Sequence, residues 1–253
     1  MIDIHCHLLP GVDDGPPTLQ AALELARACV NDGITHVVMT PHVFPGRYDN
    51  RRSGIEAAAA RFEAALQAAG IALTVGWAGE VRLTPESLDL LAENELPFLG
   101  SVAGRRTMLL EMPDGQIPLG SDRFVKTCLK ASVRPVLVHP ERNRAVMELP
   151  QRLQPFVEMG CFVQVTAGSL VGQFGERARQ TARRLLDWGW VHAVASDAHN
   201  LSGRAPRMRE AAQWLTEYSG AQRARELTVL GPAGLCGRPE LATRARAGSE
   251  RSA

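Results

Sequence analysis

No stretch of this chain is apolar for long enough to cross a bilayer; a span needs roughly 20 mainly apolar residues, and every apolar run here is far shorter. No secretory signal is expected either, because Met1-Ile2-Asp3-Ile4-His5 puts an acid and a histidine where a basic start and an apolar run would stand. A cytoplasmic protein without membrane insertion is expected. Charge of one sign is absent: 28 Lys and Arg face 27 Asp and Glu, so no global positive field exists to hold nucleic acid or an anionic membrane by counterion release. Cysteine is scarce. The five (Cys6, Cys29, Cys128, Cys161, Cys236) are odd in number, widely spaced and without a C-x-x-C pair, which argues against a disulfide framework or a structural zinc site and for reduced thiols. What is present, 45% hydrophobic and 22% charged residues over 253 positions, is a globular composition with enough length for one α/β barrel.

Seven short β-type runs alternate with amphipathic helical windows. The runs are Ile2 to His5, Thr35 to Met39, Leu73 to Gly76, Thr107 to Leu110, Arg134 to Val138, Phe162 to Thr166 and Val191 to Ala195. The windows are Thr18 to Asn31, Ser53 to Ala69, Pro85 to Glu93, Ser121 to Lys130, Leu149 to Met159, Gly175 to Trp188, Arg207 to Tyr218 and Ala221 to Leu230. Gly33, Gly70, Gly160 and Gly189 fall where left-handed C-caps belong, and Ser53, Thr84 and Ser121 where N-caps do. Val- and Ile-rich strands separated by helices imply parallel β-α-β units, with a seven-stranded barrel preferred over an open sheet. One domain over residues 1–242 is expected, followed by a disordered tail over 243–253 that offers no apolar face.

The polar residues at the C-terminal ends of these runs carry the chemistry. His5 and His7 follow the first run, His42 the second, Glu80 the third, Glu111 the fourth, His139 the fifth, and Asp197 with His199 the seventh; Asp14 joins from the loop after the first. In a parallel barrel these ends converge on one rim. Any one strand-end histidine is more often a hydrogen-bonded structural residue than a ligand, but five of the seven histidines share this rim. Nine imidazoles and carboxylates crowded there require cations, and mixed N/O donors suit manganese, iron or zinc. Two or three ions are implied, with Glu80 a candidate bridge, and hydrolysis follows as the chemistry. Arg142 and Arg204 on rim loops, with Arg47 a weaker third, favour a phosphate ester, because guanidinium forks match phosphate oxygens. A cysteine nucleophile is rejected. Cys128 to Arg134 fits C-x5-R formally, yet Cys128 lies near a helix end in a glycine-free segment, not in a phosphate-cradling loop.

The series Met1-Ile2-Asp3-Ile4-His5-Cys6-His7, Asp13-Asp14-Gly15, Thr40-Pro41-His42, Gly79-Glu80, Leu110-Glu111, Val138-His139-Pro140-Glu141-Arg142 and Ala195-Ser196-Asp197-Ala198-His199-Asn200 resembles the PHP superfamily. More narrowly, it resembles the metal-dependent protein-tyrosine phosphatases of bacterial capsule and exopolysaccharide loci. The resemblance implies a distorted (β/α)7 barrel of the PHP type and a three-metal site, commonly manganese. It assigns His5, His7, Glu80 and Asp197 to one ion, Glu80, Glu111 and His139 to a second, and Asp14, His42 and His199 to a third, with Arg142 and Arg204 gripping phosphate. It also implies a phosphotyrosine substrate on an autokinase governing polysaccharide chain length. Homo-oligomerisation stays open.

The expected reaction is in-line attack on phosphorus by a metal-bridging hydroxide, with Asp14, His42 or His199 protonating the leaving oxygen. Cys6, where relatives often have serine, should point away from its histidine neighbours. Val43-Phe44 replaces polar residues common in relatives and bears on substrate preference. The rival readings are a phosphoesterase acting on a small ester such as histidinol phosphate, an amidohydrolase-type barrel, and a catalytically dead regulator that binds the kinase.

Overall fold

In the computed structural model, which describes residues 1–243, all seven runs are strands. They are β1 (Ile2–Cys6), β2 (His36–Met39), β4 (Thr74–Trp77), β7 (Arg105–Glu111), β8 (Val133–Val138), β9 (Phe162–Thr166) and β10 (Ala193–Ala195), joined by the shorter β3 (His42–Val43), β5 (Glu80–Arg82) and β6 (Gly100–Val102). The second and third runs each break and resume. Pro41 interrupts the second because it has no N–H to donate, and Ala78-Gly79 the third, so β3 and β5 continue β2 and β4. The parallel ladders run β1-β2-β4 and β10-β9-β8-β7-β5-β3. The first and last runs meet: Asp197 N–H donates to the His5 carbonyl at 2.8 Å, His7 N–H donates to that of Ala198 at 2.9 Å, and Cys6 bridges Ala198 in parallel.

This is the expected seven-stranded parallel architecture, and its distortion has a location. At its N-terminal half β7 pairs antiparallel with β6 and not with β4. Alternate residues Ile2 and Ile4, Val136 and Val138, and Ala193 and Ala195 join Ala78, Leu109, Leu235 and Cys236 in an inner apolar cluster. The opposite strand faces, including Val37, Met39, Leu110, Val163 and Val194, pack outward in a larger core shared with the helices. The chain end closes the base: Thr107 Oγ1 donates to the Leu235 carbonyl at 2.7 Å, and a Cβ at Gly100 would overlap the Cys236 backbone.

The helices correct the sequence reading at several ends. Gly33, Gly70, Gly160 and Gly189 do adopt positive φ just past their helices. The expected serine and threonine caps do not form. Arg51 precedes the helix Arg52–Ala68, and Ser53 lies inside it with its N–H and hydroxyl both donating to Glu95, at 3.1 Å each. Gly120 caps Ser121–Lys130 while the Ser121 hydroxyl turns to the Pro118 carbonyl, and Pro85 stands between Thr84 and the helix Glu86–Ala92. Pro155 divides Leu149 to Met159 into a 3-10 turn, Pro150–Leu153, and a helix, Gln154–Glu158. The last window turns from α, Ala221–Arg225, into a π turn, Glu226–Leu230. Thr243 ends a hydrogen-bonded turn with Glu240, and the remainder of the expected tail lies outside the described residues.

Candidate metal centre

All nine rim residues named from the sequence come together. On β1 the register shifts between Asp3 and Cys6, so Cys6 packs in the outer core although Ile4 faces the inner cluster, and His5 and His7 reach the rim, where their Nε2 atoms lie 3.3 Å apart. Glu80 Oε2 is 3.3 Å from each, and Asp197 Oδ1 lies 3.3 Å from His5 and 3.5 Å from His7. These four buried side chains bring one donor atom each within 4.8 Å of one another, and they are the four that the resemblance assigns to one ion. Asp14 Oδ1 lies 3.2 Å from His42 Nε2 and 3.3 Å from His199 Nε2. His7 joins this second group because its ring stacks on His199 at 3.7 Å.

His42, Glu80 and Glu111 form a third group of donors. His42, through Nδ1, approaches Glu80 at 2.9 Å and Glu111 at 4.0 Å, whereas His139 Nε2 is hydrogen-bonded to the other Glu80 oxygen at 2.6 Å. Two of these residues, His139 (φ 35°) and Asp197 (φ 52°), hold left-handed backbone that non-glycine residues seldom adopt. Such strain persists where the surroundings impose it, commonly at functional positions.

The cluster's charges are tightly interlocked. Burial disfavours charge on His5, but Glu80 and Asp197 lift it to about 9; His42, half-buried and so also partly desolvated, is lifted by Glu80 and Asp14 to about 11. Burial and the positive Arg142 depress His139 to about 4, and burial with His7 depresses His199 to about 4. Against its own burial, Asp14 is held well below the usual carboxylate range by His199 and His42. Burial and the charge on Glu80 push Glu111 up to about 7.

Arg142 and Arg204 both pair with Asp197 Oδ2, Arg204 at 2.7 Å. They line a cavity of about 180 Å³ with Asp14, His42, Glu80 and Glu111. Arg47 lines its lip, exposed and stacked on Tyr48, with no carboxylate in ion-pair reach among the described residues. Cys128 is elsewhere: it is buried in the outer core with its thiol pushed up to about 11 by burial, and Arg134 stacks on Phe162. The formal C-x5-R match forms no site. All five cysteines are free and buried.

A family profile described as "Capsular polysaccharide synthesis, CpsB/CapC" matches residues 1–236. The chain belongs to the CpsB/CapC family. It is 37% identical to the tyrosine-protein phosphatase YwqE of Bacillus subtilis (strain 168) over 223 residues, 88% of this chain and 86% of that protein. A chain from the crystal structures of YwqE from Bacillus subtilis and CpsB from Streptococcus pneumoniae, described as unique metal-dependent tyrosine phosphatases, superposes with a TM-score of 0.86 at 34% identity, covering 94% of this chain and 95% of that one. A mutant organophosphorus hydrolase matches at a TM-score of 0.58 and 15% identity over 93% and 92% of the two chains, a likeness of fold alone.

Several residues of this CpsB/CapC site were not singled out from the sequence. Asp13 accepts from His7 Nδ1 at 2.7 Å and from the backbone N–H of His42 at 3.0 Å. Gln164 Oε1 contacts His5 Nδ1 at 2.9 Å, giving the sixth run its share in the rim. Asp3 accepts from the N–H groups of His5 and Ser196 and so ties the two closing strands. Arg82 pairs with Glu111 at 2.8 Å and lies over Phe44. Period-two alternation was a usable signal for two of them: Arg82 follows Glu80 by one strand repeat, and Gln164 shares its face with Thr166 at the strand end. Phe174, stacked on Arg142 at 4.6 Å, sits in a loop with no such signal.

Proposed function

We propose that this chain is a metal-dependent protein-tyrosine phosphatase, acting in the cytoplasm on a tyrosine autokinase that controls capsule or exopolysaccharide chain length. The observation that carries this reading is the meeting of nine imidazole and carboxylate side chains from six of seven strand ends, five of which line one small cavity together with Arg142 and Arg204. Relatives named tyrosine-protein phosphatases align over nearly the whole chain. No helix among the described residues is long and apolar enough to cross a membrane.

The donor set fits divalent cations. Glu80 Oε2, Asp197 Oδ1 and His199 Nε2 are buried without a hydrogen-bond partner, a costly condition unless another partner serves them. Mixed N/O donors suit manganese first, with iron or zinc as substitutes. His5, His7, Glu80 and Asp197 would hold one ion, Glu80 and Glu111 with His139 or His42 a second, and Asp14, His42 and His199 a third. When bound, such ions ionise solvent at neutral pH and neutralise the oxygens of the group under attack.

The chain's own groups do the rest. Arg142 and Arg204 share one Asp197 oxygen, which leaves guanidinium N–H groups for phosphate oxygens. Asp13 and Gln164 fix the His7 and His5 rings by their Nδ1 atoms and so aim each Nε2 at the cluster. Asp14, the most exposed of the nine, stands at the mouth where a leaving oxygen would emerge. Phenolate, with a pKa near ~10, leaves readily in any case.

Hydrolysis of a phosphotyrosine peptide and of a small aliphatic phosphomonoester, before and after chelation, tests this. The expected result is turnover of the peptide, loss on chelation and recovery with manganese. Preference for the aliphatic ester would favour the small-ester phosphoesterase, and no turnover of either would favour the non-catalytic regulator.

A further inference from the structure

The lip of the cavity is a rigid hairpin whose chemistry the hydrolytic cluster does not use. Phe44 and Tyr48 exchange backbone hydrogen bonds at 3.0 and 2.8 Å across Pro45-Gly46-Arg47. Gly46 (φ +83°) donates its N–H to Asp49 Oδ1 at 2.7 Å, and Asn50 Nδ2 ties the hairpin's base to the carbonyls of His42 and Val12 at 2.8 and 2.9 Å. Tyr48 lies flat on the His42 ring, 5.5 Å away with 10° between planes, and Arg47 lies on Tyr48 at 5.3 Å. The hairpin is therefore preorganised, and Arg47 reaches the cluster only through an intervening ring.

Four arginines line this cavity. Arg82 is paired with Glu111, and Arg142 and Arg204 with Asp197. Arg47 is the one without a carboxylate among the described residues, it is exposed, and its aromatic stack holds the guanidinium in place. A cavity of about 180 Å³ takes a phosphate and its ring but not the residues on either side, which must lie along the lip. Resting on the phosphotyrosine reading above, we infer that Arg47 is a receptor for a carboxylate side chain adjacent to the phosphotyrosine, so that the enzyme prefers acidic phosphopeptides; it does not grip the scissile phosphate. Asp114 lines the same cavity with no ion-pair partner among the described residues, so the acid is read on the hairpin side of the lip.

Paired phosphotyrosine peptides that differ only in carrying glutamate or lysine beside the phosphotyrosine test this with the manganese-loaded full chain. The wild type should favour the glutamate peptide by about tenfold in kcat/KM, mostly through KM, with the preference shrinking as salt rises. Arg47→Ala should bring the two peptides within about twofold, and Arg47→Glu should invert their order. An unchanged ratio in both variants would overturn the assignment. Equal loss on both peptides would overturn it as well and return Arg47 to the scissile phosphate. Failure of the wild type on both peptides, with turnover of other phosphoesters, would sink the phosphotyrosine reading and this inference together.

Discussion

The same strands are built from opposite materials at their two ends. Towards the base, Ile2, Ile4, Val136, Ala193 and Leu235 pack an apolar interior, and Thr107 and Gly100 seal it against the chain end. At the rim, a few residues further along, the strands deliver His5, Glu80, Glu111, His139 and Asp197, two of which, Glu80 and Asp197, carry a buried oxygen without a hydrogen-bond donor. The base lowers the free energy of folding, and the rim raises it by collecting like and unlike charges in a dry place. Fold and chemistry are separable along one strand, and each end should respond to a different perturbation.

The largest expected effect is at the rim. Asp197→Asn removes a carboxylate common to the first group and both arginines, and kcat/KM should fall by about 10³-fold while the circular dichroism of the protein is retained. At the base, Ile4→Ala should cost about 2–5 kcal/mol in denaturant unfolding, with activity per folded molecule kept within about twofold. A rim variant that unfolds the protein, or a base variant that abolishes chemistry in folded protein, would break the division.

Proton linkage sharpens it. His5 is lifted from its ordinary 6.5 to about 9 in the metal-free chain. A raised folded-state pKa stabilises fully below the unfolded value, and that contribution is lost as pH climbs through the folded one. Metal-free protein should therefore lose Tm between about pH 6.5 and 9, while manganese, which competes with the same proton, should bind more tightly over that interval. Thermal melts with and without manganese across this range measure both. The smallest effect belongs to Cys128→Ser, buried in the outer core; turnover per folded molecule should match the wild type, and a loss comparable to that on chelation would revive cysteine chemistry.

The strand order was legible because its signals are local: β-branched runs, intervening helical windows and C-cap glycines that did adopt positive φ. The breaks in the second and third runs were not, since β3 and β5 are two or three residues long and exist only because neighbouring strands pair with them. Capping failed at Ser53 for a related reason: Glu95, 42 positions away, supplies the acceptor that a local serine was expected to provide. The nine rim residues were readable as a set because strand ends converge. Which histidine meets which carboxylate came from the resemblance and from no sequence period, and His139 meets Glu80 on left-handed backbone that no sequence period announces. Arg82 was available from alternation with Glu80; Phe174 and Tyr48 became visible only through the rings and guanidinium they touch.

Anomalous diffraction from crystals grown with manganese addresses the rim most directly. Two or three peaks are expected, one among His5, His7, Glu80 and Asp197 and the others between Asp14, His42, Glu111, His139 and His199. A map without any peak at these residues, from protein that still hydrolyses phosphotyrosine after chelation, would contradict the metal-dependent chemistry proposed for this chain.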